Sequence, residues 1–211
     1  LRLTYSIPKV NEREGQTALK KVLEHTRPYY SYTQFKGESQ IYYHNAGGYW
    51  IKTFDFEPYY RSLKLQDKAH TTISRLQLPS DKFATIYLCV LNSSLFYFFW
   101  KSLTDARHLY PSDIAMFPIN LPLPENLLSE LEILHSKLME SYRKHAKRIV
   151  YGQAEVDQYR VSPSKPIIDE IDRVLARHYG FTDAELDFII HYDIKYRMGR
   201  DAELDGEGEG E

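Results

Sequence analysis

Cysteine is all but absent: Cys89 stands alone among 211 residues, so no disulfide can form within the chain. That usage fits a reducing compartment, and the cytoplasm is the expected location. Cys89 lies inside an apolar run and reads as a small buried hydrophobe rather than a nucleophile. No zinc-ligand spacing, phosphate loop or nucleophile–base set occurs, and the eight histidines are scattered. No strand leads into a Gly-rich turn that would hold S-adenosylmethionine. Asp55 and Glu57 precede Lys64, but no strand pattern supports a nuclease core there. The chain by itself is therefore expected to be non-catalytic, without a metal or a cofactor of its own. Nothing at the N-terminus resembles a signal peptide. The chain begins at Leu1 rather than Met and is expected to be a piece of a longer protein. A membrane span needs about 20 apolar residues. The longest uncharged stretch, from Phe83 to Trp100, is broken by Asn92-Ser93-Ser94, so no membrane partner is expected.

What the chain has in quantity is tyrosine, 18 residues, and one dense apolar segment. The net charge of −2 conceals an asymmetry. Residues 201–211 hold six acids and no base, so the remainder is mildly basic. That balance is compatible with phosphate binding. The acidic, glycine-bearing tail has too little apolar surface to fold. The length allows one large domain or two small ones, with a core that needs no staples.

Alternation of Leu1, Leu3, Tyr5 and Ile7 predicts a strand over 1–9, followed by a polar loop over 11–15 and a short helix over 17–25. Residues 28–35 are aromatic and β-prone. Two further β-like runs, 41–43 and 49–52, flank His44-Asn45-Ala46-Gly47-Gly48, whose glycines suit a hairpin. Residues 61–75 are polar and basic, and 70–78 alternate as a strand. Ser80-Asp81 caps a helix that Asn92-Ser93 ends, and a second helix runs over 94–103. Pro111-Ser112-Asp113 reads as a tight turn and 116–121 as a short buried strand. Leu127, Leu128, Leu131, Leu134, Leu138 and Tyr142 predict a long helix over 125–150, its last turns rich in Arg143, Lys144, His145, Lys147 and Arg148. Residues 152–165 read as a linker. Ser164 then caps a helix ending at Gly180, and the Thr182/Glu185 spacing opens another over 183–192. Asp169, Glu170 and Asp172 are expected on a solvated face. The predicted core is Phe83, Ile86, Leu88, Val90, Leu91, Leu95, Phe96, Phe99, Ile114, Phe117 and Ile119.

The order of an apolar helix, Leu91-Asn92-Ser93, an aromatic helix, Arg107-His108-Leu109, Pro111-Ser112-Asp113-Ile114 and Phe117-Pro118-Ile119 resembles the target-recognition domains of DNA restriction–modification proteins. Tyr179-Gly180-Phe181-Thr182, Glu185 to Ile190 and Tyr192 to Arg197 bring it closest to the C-terminal region of adenine-N6 DNA methyltransferases of the type IIG restriction enzymes. The resemblance covers most of residues 41–197. It implies an α+β fold, a small mostly antiparallel sheet packed on two central helices, followed by a C-terminal helical region. The expected divisions are a target-recognition domain at 1–124, helices at 125–197 and the acidic tail at 198–211.

The function implied is sequence-specific recognition of double-stranded DNA. A target adenine would be positioned for N6 methylation by a methyltransferase domain of the same parent, which would bind S-adenosylmethionine and possess any endonuclease activity. Glu57-Pro58-Tyr59-Tyr60 has one proline and the wrong first residue for the adenine-binding motif of such enzymes, which places catalysis outside this chain. Sequence is read in the major groove by Arg or Lys on guanine and Asn or Gln on adenine, with phosphate contacts fixing register. The loop candidates are Lys36, Gln40, His44, Asn45, Arg61, Lys64, Lys68, His70, Arg75, Arg107 and His108. The alternative is a protein-interaction or scaffolding domain that does not bind DNA.

Overall fold

The structure, a computed structural model, describes residues 9–25, 37–46, 48–64 and 72–198. The expectations for 28–35 and 201–211, and nearly all of that for 1–9, lie outside them. The described chain is α+β, with two small antiparallel sheets around a helical centre.

The centre is the uncharged stretch. Helix α2 (Asp81–Asn92) buries every residue from Ala84 on, and α3 (Ser94–Leu103) buries eight of its ten. Helices apolar on all sides belong inside a core. Each large side chain taken from water there contributes about 1.5–3 kcal/mol. Ser93 both ends α2 and caps α3, its Oγ accepting from Phe96 N at 3.0 Å. The two axes bend by 66° at this residue. No single helix among the described residues is long and apolar enough to cross a membrane; only the bent α2–α3 pair passes that test together. All predicted core residues are buried except Phe83, which packs against the core partly exposed.

Strands β1 (Ser39–His44), β2 (Thr53–Phe54) and β4 (Ile73–Leu78) form one sheet in the order β2–β1–β4. It lies on α2, with Ile41, Tyr43, Leu76 and Leu78 turned inward. The run expected at 49–52 is not the strand. Trp50 turns into the core, donating Nε1–H to the Arg197 carbonyl at 2.9 Å; of the expected run only Lys52 meets β1, its O accepting from His44 N at 3.0 Å, and the paired strand is Thr53 and Phe54.

The second sheet corrects the expected helix over 125–150 and the linker after it. Helix α5 (Glu125–Lys144) stops at His145. The chain then forms β5 (Ala146–Tyr151) and β6 (Ala154–Tyr159), turning at Gly152-Gln153. Gly152 adopts φ 58, a conformation that favours glycine in a two-residue hairpin turn. Strand β3 (Tyr60–Ser62) joins β6, giving the order β3–β6–β5. The region after residue 124 is thus not wholly helical, and this sheet links it to the preceding part.

Helix α1 (Arg13–Glu24) starts earlier than expected. Its buried residues Gly15, Ala18, Leu19 and Val22 form one helical face, in contact with α7 (Asp183–His191). Pro111-Ser112-Asp113 opens helix α4 (Pro111–Met116) rather than a turn: proline suits a first helical turn, and Asp113 reaches back to Tyr110 N at 2.9 Å. Residues 117–119 and Leu121 are buried but form no named strand. Helix α6 (Lys165–Tyr179) ends at left-handed Gly180. Thr182 and Glu185 exchange the two hydrogen bonds of a capping box at the start of α7.

Candidate nucleic-acid interface

Strand alternation puts Gln40, Tyr42 and His44 on the face of β1 turned away from α2, with Tyr42 and His44 half-buried there. Across the ladder Gln40 faces Gln77, Tyr42 faces Arg75 and His44 faces Ile73. Gln40, Gln77 and Arg75 are exposed. Gln40 donates to Tyr42 Oη at 2.9 Å, which orients its amide along the strip. The strip runs about 14 Å from Gln40 to His44. On the β2 side Phe54 closes it, its ring 6.0 Å from that of His44.

The strip ends where three segments meet. Ala46 bridges His108, Leu109 N donates to Asn45 O at 2.9 Å, and Asn45 N donates to Thr72 O at 2.9 Å. Arg107 and His108, 62 or more residues away in sequence, are thereby brought beside His44 and Asn45. Local bonds shape their loop. Thr104 Oγ1 accepts from Ala106 N and Asp105 Oδ1 from Arg107 N, each at 3.1 Å, around Ala106 at φ 54. A left-handed alanine carries strain, which these two acceptors offset. Both Arg107 and His108 are exposed. Asn45 is committed to the frame, its Nδ2 donating to Ser74 Oγ at 3.1 Å.

Arg61 and Lys64 are on or next to β3, in the other sheet. Arg61 Nε lies 3.1 Å from Glu155 Oε2. On β5, Arg148 pairs with Asp157 at 2.9 Å and stacks over Tyr59 at 3.5 Å. These acids neutralise part of the positive charge there. Lys36, Lys68 and His70 lie outside the described residues. Gln77 was not among the residues expected to contact DNA, although its alternation with Leu76 and Leu78 marks it as outward-facing.

Two further constellations depart from the sequence reading. His135 on α5 bridges Thr85 Oγ1, 3.1 Å from its Nδ1, and Asp55 Oδ2, 3.2 Å from its Nε2; Arg143 holds the other oxygen of Asp55 at 2.8 Å. Burial opposes the charge on Asp55, yet His135 and Arg143 keep its carboxyl below the ordinary carboxylate range. Hydroxyl, imidazole and carboxylate stand in the order of a nucleophile, base and orienting group. Thr85 is only 7% exposed, however, and the contacts tie the segment after β2 to α2 and α5. Asp172 is not on a solvated face: it is 2% exposed. Its carboxylate accepts from Ser94 N and Leu95 N at the start of α3 because α6 packs there. Asp169 and Glu170 pair with Lys165 and Arg173.

Among the described residues no group of three or more His, Cys, Asp or Glu side chains could hold a metal ion. An open groove of about 640 Å³ runs between α5 and α6, away from the strip, lined by Ile133, Leu134, Val174 and Phe181. Compared with protein-family models, curated proteins and solved structures, the chain matches none.

Proposed function

We propose that this chain is the DNA-reading module of a restriction–modification protein. It would hold a duplex while a methyltransferase domain outside the chain, carrying S-adenosylmethionine, modifies an adenine at N6. The β2–β1–β4 sheet on α2 would then be the framework of a target-recognition domain. The observation that carries the proposal is the outward strip of Gln40, Gln77, Tyr42 and Arg75, continued by Arg107 and His108. Amides suited to adenine and a guanidinium suited to guanine stand on one face of strands, an element the major groove admits.

A second reading, a protein-interaction domain, is favoured by one feature: Arg61 and Arg148 are already paired with acids. Salt separates the two. Duplex binding should weaken with a slope near −0.9 per phosphate contact in log Kd-derived affinity against log salt. Anisotropy titrations of a labelled duplex of about 30 base pairs should give a slope of roughly −3 to −5. Salt-independent binding, or none at low salt, overturns the proposal.

A further inference from the structure

Among the described residues the second sheet is anchored at its base. At its base Tyr159 is buried, its ring 4.6 Å from Phe54 and 6.5 Å from Tyr142. Every other residue of β5 and β6 is half-buried or exposed. The hairpin therefore projects about 17 Å from its anchor to Ala154. Toward the tip three large apolar side chains stand in the open, Val150 and Tyr151 on opposite faces of β5 and Leu63 just past β3: Leu63 is 50% exposed, Val150 64% and Tyr151 77%. Leu63 N donates to Gln153 O at 2.9 Å, which fixes the first of them beside the hairpin turn. Apolar side chains left in water around one projecting end mark a contact surface.

The flanks indicate the partner. Residues 59–64 and 143–160 contain seven Arg and Lys against two acids, Glu155 and Asp157. Three of the seven, Lys64, Lys144 and Lys147, are exposed and have no acidic partner among the described residues. An apolar tip with unpaired lysines behind it complements a polyanion that has an apolar interior. Double-stranded DNA is one: phosphates outside, stacked bases within. Proteins that wedge apolar side chains between base steps bend the duplex by 20–90°.

We propose that the β5–β6 tip, with Leu63, is such a wedge, inserted between base pairs while Lys64, Lys144 and Lys147 hold the flanking phosphates. This rests on the DNA-binding reading above and adds to it a site and a mode of contact. The reading strip then reports sequence, and the wedge opens the stack next to it.

The test uses the 211-residue chain and a duplex of about 30 base pairs with a donor and an acceptor dye at its two ends. Wild type should raise energy transfer on binding. The triple variant Leu63→Ser, Val150→Ser, Tyr151→Ser should bind with an unchanged salt slope and lose at least about half of that rise. Lys147→Ala should lower the slope by about one unit. Wild-type binding without a change in transfer, or a triple variant that bends DNA as well as wild type, overturns the wedge and leaves the DNA-binding reading intact. Absence of DNA binding by wild type overturns both. Sedimentation is the last arm: self-association dissolved by the triple variant would make the tip a protein contact and overturn the wedge.

Discussion

Asp172 and Arg197 meet at the start of α3. The carboxylate of Asp172 accepts from the backbone of Ser94 and Leu95 at 3.1 and 3.0 Å, and the Arg197 guanidinium donates to Ser94 Oγ at 3.1 Å. Both residues are almost wholly buried, and Arg197 is also stacked against Trp50 and Tyr97 at 4.1 and 4.7 Å. Asp172→Ala should cost about 3 kcal/mol in urea denaturation, because it leaves two N–H groups without their acceptor and the buried Arg197 cation without the charge nearby. Burial pushes the Asp172 carboxyl up to about 6, against the pull of the N–H donors and Arg197. A carboxyl raised in the folded state stabilises the fold below its unfolded value near 3.8, and that contribution is lost as pH rises through about 6. The deficit of Asp172→Asn relative to wild type should therefore shrink between pH 4 and pH 7.

Much of the local architecture was legible because the contacts that fix it lie within four residues. Ser93 before Phe96, Gly180 after Tyr179 and Thr182 with Glu185 are examples, and each stands where the sequence put it. Asp172 was not legible: its partners lie 77 and 78 residues away, and a lone acid on an amphipathic helix carries no mark of what will cover it. The β5–β6 hairpin was missed for a related reason. Lys147 and Arg148 extend the basic end of α5 smoothly in sequence, while the pairing that makes them a strand comes from β6. The candidate site was partly legible: basic and amide residues could be named, but not which of them the sheet register and the Ala46–His108 bridge would bring together.

His25 and His178 give a second pH dependence of opposite sign. Their rings lie 5.0 Å apart with Tyr179 against both, and His25 Nδ1 and His178 Nε2 are buried without a hydrogen-bond partner. Burial, with the neighbouring His25 charge, lowers His178 to about 4; burial also lowers His25, opposed by Glu24. The unfolded chain then takes up protons first as pH falls below 6.5. The stability is complete above that value and is lost on the way down to about 4. Wild type should lose roughly 2–4 °C in Tm from this source between pH 6.5 and 4.5, a figure discounted for the pair's partial exposure. His178→Phe should flatten that limb, measured by calorimetry. An unaltered slope would remove the pair from the acid response.

The ion pairs on the second sheet bear on DNA affinity directly. Glu155 holds Arg61, and Asp157 holds Arg148. Glu155→Gln and Asp157→Asn should each release a guanidinium toward phosphate. Affinity at low salt should rise a few-fold and the salt slope should steepen by up to about one unit. Anisotropy titration of the same duplex reads both quantities. Weaker binding would place the acids in contact with the partner instead.

Asn92 is the fixed point between sheet and helices. Its Oδ1 accepts from Thr53 N at 3.1 Å and from Tyr142 Oη at 2.9 Å, while its Nδ2 donates to the Thr53 and Leu88 carbonyls, both at 2.9 Å. Every hydrogen-bonding position of the amide is used, inside a core where an unpaired polar group is costly. Asn92→Ala should lose about 3 kcal/mol, and Tyr142→Phe, which removes one of the four bonds, about 1 kcal/mol. Asn92→Asp is the sharper probe. Its second oxygen would face two carbonyls when ionised but could donate to one when protonated. The variant should be less stable relative to wild type at pH 7 than at pH 4, by urea denaturation at each pH. A loss below about 1 kcal/mol at pH 7 would mean that β2 is not tied to α2 through this side chain.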